Sequence, residues 1–142
     1  LKNSEIIYTE NGILKVKVVS NVMERFSEVE DRIELFDGVK FFFYKTDSKR
    51  NKSVLTCQNA VINNTKNIMI ANQNVILLGS DKKELKTEQL IWDKGKNIIY
   101  TDLAISIRTE EEIIMGVGFK STPDFTDYEI NNVKGTFTIK HK

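Results

Sequence analysis

Two stretches of this chain are versions of each other. Written one above the other, LTCQNAVINNTKNIMIANQNVILL from Leu55 and LKTEQLIWDKGKNIIYTDLAISIR from Leu85 align without a gap at an offset of 30 residues, so that Leu55 meets Leu85, Lys66-Asn67-Ile68 meets Lys96-Asn97-Ile98, and Val75 meets Ile105. Each copy reads as strand, turn, strand, short break, strand. Self-similarity at a fixed period means that no unit buries its apolar face alone and that neighbouring units complete one core. The apolar face also changes phase inside each copy. Leu85 and Thr87 are two apart, as are Leu90 and Trp92, but three residues separate Thr87 from Leu90, and Leu55, Cys57, Ala60 and Ile62 repeat the pattern. Such a slip marks a bulge or corner. Corners at matching places in successive strands bend a sheet until it has an inside.

The rest of the chain also alternates with period two. Leu14, Val16 and Val18 alternate with Lys15 and Lys17, Ile33 and Leu35 with Glu34, and Ile105 and Ile107 with Ser106 and Arg108, the pattern of half-buried strands. Turn-forming clusters fall between them at Asn11-Gly12, Asp37-Gly38, residues 47–52, 63–67 and 80–84, Lys94-Gly95 and residues 109–112. Val22, Phe26, Val29, Ile33 and Phe36 have helical spacing instead, but the β-branched residues on either side favour strands there. A fainter third copy is expected where Ile130, Phe137 and Ile139 answer Ile98, Ile105 and Ile107 at an offset of 32, with the excess near Pro123. The fold class is all-β.

At 142 residues the chain makes one domain, residues 1–142. Twenty-one basic against 20 acidic residues leave a net charge of +1, which gives no footprint for nucleic acid. The basic residues Lys45, Lys49, Arg50 and Lys52 read as solvated turn charges. A single cysteine, Cys57, excludes an internal disulfide and, with the single histidine His141 in the tail, a Cys/His zinc cluster. Between apolar neighbours, Cys57 reads as a buried small hydrophobe. No run approaches the ~18 apolar residues of a membrane-spanning helix, and LKNSEII at the start is not a signal peptide.

The chain carries few residues arranged for chemistry. In GVGFKSTPDFTDYEINNVKG, residues 116–135, a dinucleotide fingerprint would need a third glycine where Ser121 stands and a helix where Pro123 and the alternating Phe125, Tyr128 and Ile130 follow. Gly116 and Gly118 read instead as strand positions where something comes close. The carboxylates Glu110, Glu111 and Glu112, and Asp124 and Asp127, read as solvated turn charges without a pocket to part their pKa values. No Gly-x-Ser-x-Gly elbow exists, and no oxygen-rich calcium loop. The reading is a non-enzyme with no catalytic residue, cofactor or metal.

In order along the chain, YTENG at 8–12, DGVKFFFY at 37–44, LTCQNAVI at 55–62, IANQNVILL at 70–78, LKTEQLIWD at 85–93 and the 116–135 stretch resemble the LptC family of lipopolysaccharide export proteins, whose fold is related to the OstA-like protein LptA. The resemblance implies a twisted, boat-like β-jellyroll of two facing antiparallel sheets, open along one side, whose interior holds lipopolysaccharide acyl chains. It implies a periplasmic domain attached to the inner membrane through an N-terminal segment absent from this sequence. It also implies partners: the LptBFG transporter at the N-terminal edge, roughly Ile13 to Val19, and an LptA-like bridge protein at the C-terminal edge, Val133, Gly135, Phe137 and Ile139. Combined with the alternation, it gives groove candidates Phe41, Phe43, Leu55, Ala60, Ile62, Ile70, Leu77, Leu90, Trp92, Tyr100, Ile105, Phe119, Phe125 and Phe137, each of which could equally pack a core. The rival expectation is a closed β-sandwich that serves as an interaction module without a lipid ligand.

Overall fold

The computed structural model describes residues 2–45 and 48–140, and the side chains of all of these except 45 and 48–52. Each regular element among them is a strand: β1 (Lys2–Glu10), β2 (Ile13–Phe26), β3 (Arg32–Lys45), β4 (Ser48–Cys57), β5 (Asn59–Asn63), β6 (Ile68–Leu78), β7 (Glu84–Asp93), β8 (Ile98–Arg108), β9 (Glu112–Ser121) and β10 (Tyr128–Thr138). Antiparallel ladders join them in the order β1-β2-β3-β4-β6-β7-β8-β9-β10, with short β5 pairing β3 and β6 beside that path. The two repeats are successive hairpins, β5–β6 and β7–β8. Asn67 and Asn97 occupy the same place in their turns and the same left-handed backbone region, at φ 58° and 53°, which asparagine tolerates better than most residues.

The expected corners are present and run across the whole sheet. Leu85 and Thr87, then Leu90 and Trp92, are the buried residues of β7, and Leu55 and Cys57 of β4 are followed by Ala60 and Ile62 of β5. The strands running the other way skip four residues: Leu35 to Val39 in β3, Ala71 to Val75 in β6, Thr101 to Ile105 in β8. In β3 and β6 the extra residue is absorbed by left-handed backbone at Asp37 and Gly38 (φ 60° and 93°) and at Gln73 and Asn74 (φ 67° and 53°). Groups released from the ladders find partners along the same line. The Gly38 N–H donates to the Gln58 carbonyl at 3.0 Å, the Gln58 N–H to the Gln73 carbonyl at 3.1 Å, the Asn74 N–H to Glu88 Oε2 at 2.9 Å and Thr87 Oγ1 to the Ala104 carbonyl at 2.9 Å. Each of these bonds lowers the cost of the corner.

Along this line the sheet folds on itself and becomes two facing half-sheets, a jellyroll-like arrangement. The first half holds β1 with residues 14–20, 39–45, 53–57, 75–78, 84–87, 104–108, 112–117 and 133–138; the second holds residues 22–26, 32–36, 59–63, 68–72, 90–93, 98–101, 119–121 and 128–132. Phe43 of the first half meets Trp92 of the second edge to face, with centroids 5.3 Å apart, and Tyr8 meets Trp92 at 6.1 Å. Between the halves lies one apolar core that includes Val18, Phe41, Leu55, Met69, Leu90 and Ile99.

Four sequence expectations need correction. Asp37-Gly38 is a bulge inside a 14-residue strand, not a turn, because a glycine at positive φ serves a corner as well as a loop. Of the turn expected at 47–52, residues 48–52 belong to β4; residue 47, like His141, lies outside the described residues, as do the side chains at 45, 49, 50 and 52. The third repeat does not keep its expected phase, since β10 spans Tyr128–Thr138 exactly as far from β8 as β8 is from β6, and Phe137 is 58% exposed where Ile105 is buried. Finally, Ile13–Val19 is not an edge. It lies in β2, paired on one side with β1 and on the other with β3. The helical spacing over residues 22–36 resolves as the end of β2, a turn and the start of β3.

Candidate functional site

The inner cleft is closed along the fold line and has openings elsewhere. At the free rim opposite that line, Tyr8, Val16 and Phe43 of the first half face Trp92, Lys94, Gly95 and Asn97 of the second across a concavity of about 670 Å³. A second concavity of about 720 Å³ lies beside β1, where the half-buried Ile6, Met23 and Ile33 and the exposed Phe26 stand alongside Glu24 and Arg25. Both open on the apolar inner face. Deeper in, Phe43 and Trp92 also line a small void among Phe41, Leu55, Met69, Ala71, Leu90 and Ile99.

Farther along the rim, at β9, a strap closes it. Residues 122–127 fold back from β9, the Thr122 N–H donating to the Asp127 carbonyl at 3.0 Å and the Phe125 N–H to the Thr122 carbonyl at 3.0 Å. Asp124 Oδ1 accepts from Thr122 Oγ1 at 2.7 Å and Thr126 Oγ1 at 2.8 Å. Ser53 Oγ, from the first half, donates to the Pro123 carbonyl and ties the strap across the rim. Phe125, at φ 61° and 1% exposed, is driven inward against Phe119 and Tyr128, with centroids at 5.7 and 5.3 Å. The Lys83 ammonium lies 4.9 Å from the Phe125 ring.

The open stretch of the rim carries charge. Lys15 is the extra residue of a bulge, since Tyr8 pairs with Val16 and Thr9 with Leu14; a bulge re-aims a side chain, and Lys15 lines the concavity that strict alternation would turn it from. Lys94 Nζ lies 3.3 Å from Asn64 Oδ1 and 4.9 Å from the Tyr8 ring. Burial pulls its pKa below the ordinary lysine value, with the Asp31 carboxylate opposing. Burial, and secondarily Asp31, pushes the Tyr8 hydroxyl up. Trp92 Nε1 is, among the described residues, the one fully buried side-chain polar atom without a hydrogen-bond partner.

Of the groove candidates, Phe41, Phe43, Leu55, Ala60, Ile62, Leu77, Leu90, Trp92, Ile105, Phe119 and Phe125 are brought together on the buried inner face. Ile70 and Tyr100 are not. They stand in the opposite, outward row, in which Val61, Ile70, Ile91 and Tyr100 pair in sequence across four strands. Phe137 is also outward, paired with Ile113. The edge candidates Val133, Gly135 and Phe137 lie on β10, at one end of the strand order, and the Ile139 N–H is held by the Glu111 carbonyl at 2.8 Å. Alternation missed Lys15 because of its bulge, and Tyr8 and Lys94 because nothing local marks a rim. Met69 and Ile99, in contrast, occupy equivalent places in the two repeats, and that was a usable signal. Glu110 and Glu111 are exposed in the turn before β9. Among the described residues no group of three His, Cys, Asp or Glu could hold a metal ion, and no helix is long and apolar enough to cross a membrane.

A sheet folded on an apolar cleft, open at its rim and at one side, defines a β-jellyroll-like domain. The chain belongs to the LptC-related lipopolysaccharide-assembly family, whose profile matches residues 2–138. Comparison with curated proteins gives no match. Membership assigns the chain to lipopolysaccharide transport in the periplasm, together with other components of that system.

Proposed function

We propose that the domain shields the acyl chains of lipopolysaccharide between its half-sheets and passes the lipid from the LptBFG transporter to an LptA-like bridge protein. The observation that carries this reading is the cleft itself: lined mainly by apolar side chains, with Ser53, Thr87 and Thr101 among them, it opens at the rim over Val16, Phe43 and Trp92 and beside β1 over Ile6, Met23 and Ile33. Each methylene kept from water is worth about 0.8 kcal/mol, so a multi-acyl lipid needs such a lining to cross an aqueous compartment. The eleven inward-facing candidates supply it, while Ile70, Tyr100 and Phe137 stand outside. Strands β1 and β10, at the two ends of the strand order, offer edges for pairing with a neighbouring sheet; β10 with Val133, Gly135 and Phe137 would take the LptA-like partner and β1 the transporter, with an inner-membrane anchor on the N-terminal side.

The close packing of Phe41, Leu77 and Phe119, each at most 2% exposed, favours the rival reading of a closed interaction module. The melting temperature in the presence of lipopolysaccharide separates the two. A ligand selective for the folded state stabilises it by about 2.7 kcal/mol at a hundred times its dissociation constant, so a carrier melts at rising temperature with lipopolysaccharide and not with the deacylated saccharide. An unchanged melting temperature at saturating lipopolysaccharide would exclude the carrier.

A further inference from the structure

We infer that the rim opening is a site for the junction of an acyl lipid, where the Trp92 indole N–H donates to the carbonyl joining chain to headgroup and Lys15 and Lys94 meet an anionic headgroup. This rests on the reading of the domain as an acyl-lipid carrier and adds to it a depth and an orientation.

Trp92 is 8% exposed, and its Nε1 has no acceptor; an unpaired buried donor is costly, and a guest that brings an acceptor removes that cost. The surroundings specify that guest. On one side of Trp92 the wall is hydrocarbon, Phe41, Leu55, Leu90 and Ile99, and on the other it is the solvent-open rim. A molecule that fits has an apolar end, one acceptor at the boundary and a polar end. An acyl lipid carries its carbonyl at that boundary.

The charge of the polar end follows from the two lysines. Lys15 reaches the opening only because the β1–β2 ladder bulges there. The Lys94 ammonium contacts an amide oxygen at 3.3 Å and the Tyr8 ring at 4.9 Å, and the carboxylate that acts on it, Asp31, is itself paired with Arg25 at 3.1 Å. Glu10 and Asp124 also line the opening, but Asp124 is turned to its own strap by Thr122 and Thr126. A phosphate arriving at the rim therefore finds two cations, Lys15 and Lys94.

Trp92 is the chain's single tryptophan, so its fluorescence reports the site directly. The full chain is titrated, below micelle-forming concentrations, with lysophosphatidylglycerol bearing one myristoyl ester, with its ether-linked counterpart lacking the carbonyl, and with uncharged monomyristoylglycerol. The ester is expected to shift the emission saturably and to bind roughly three- to tenfold more tightly than the ether, the range of one hydrogen bond. By calorimetry, Trp92→Phe abolishes that ester preference, and Lys15→Gln with Lys94→Gln abolishes the preference for the anionic over the uncharged ester. Equal binding of ester and ether by the unaltered protein overturns the assignment and leaves the carrier reading standing, because the lipid still binds. If none of the three binds and lipopolysaccharide also leaves the melting temperature unchanged, both fall.

Discussion

A methyl group at Gly116 would lie 2.7 Å from Ile130 Cγ2 and 2.8 Å from the Asn132 carbonyl oxygen, and one at Gly118, at φ +84°, would meet the Asn131 side chain at 2.7 Å. The contact at Gly116 is with the backbone of β10, which cannot step aside without breaking its ladder to β9. Gly116→Ala is expected to lower stability by about 1–3 kcal/mol, the usual cost of overpacking, and urea denaturation measures it. Cys57 tests the core in another way. It is 6% exposed, and burial pushes its thiol from 9.0 up to about 12. The unfolded thiol then loses its proton first as pH rises, so this group's contribution to stability is intact below about 9 and is lost between about 9 and about 12; Cys57→Ala is expected to lack that part of the loss. In the native protein at pH 8 a thiol reagent is expected to react with Cys57 only on addition of denaturant. Both close approach at the glycines and burial of the cysteine were legible in the sequence, because each depends on immediate neighbours. The role of Lys15 was not, because one bulge reverses the parity from which a side chain's direction is read.

At the scale of elements, the three-residue slips were legible and the four-residue slips were not. A skip of three breaks alternation visibly, as from Thr87 to Leu90, whereas a skip of four, as from Ala71 to Val75 or Thr101 to Ile105, keeps even spacing and hides the corner. The same blindness turned Asp37-Gly38 into an expected loop, whereas Ile70 and Tyr100 have the opposite parity to Val75 and Ile105, so that unbroken alternation already turns them outward. The strap at residues 122–127 was legible only as a corner at Pro123; that its Phe125 becomes core depends on contacts with Gly79, Lys83 and Ser53, remote in sequence. Phe125→Ala removes a fully buried ring from three neighbours and is expected to cost about 3–5 kcal/mol, as phenylalanine truncations in cores do. A loss below 1 kcal/mol by urea denaturation would mean that the strap closes nothing.

For the molecule as a whole, the strand order ends in β1 and β10, and among the described residues each has one neighbour. Phe137, outward on β10 and 58% exposed, stands beside Ile113 and near Met115, itself 46% exposed. The end of β10 from Gly135 to Thr138 carries no charge, and such an edge is a template for pairing, here head to tail between two different edges. The isolated domain is expected to associate as its concentration rises, and Phe137→Lys to weaken that association, as sedimentation velocity over a concentration series reports. Family membership was legible because the motifs kept their order over nearly the whole chain; the edge strand at the N-terminal side was misplaced because YTENG at 8–12 gave the turn and not the strand before it. The fold line has one further consequence. Ladder hydrogen bonds run between strands within each half, while Asp37, Gly38, Gln73 and Asn74 sit between the halves in backbone geometry outside the ladders. Rotating these few torsions parts the halves as a book opens at its spine, every page still bound. The work of opening is then the exposure of hydrocarbon together with the loss of ties across the rim such as Ser53 to Pro123, and a hydrocarbon guest of matching length offsets the first.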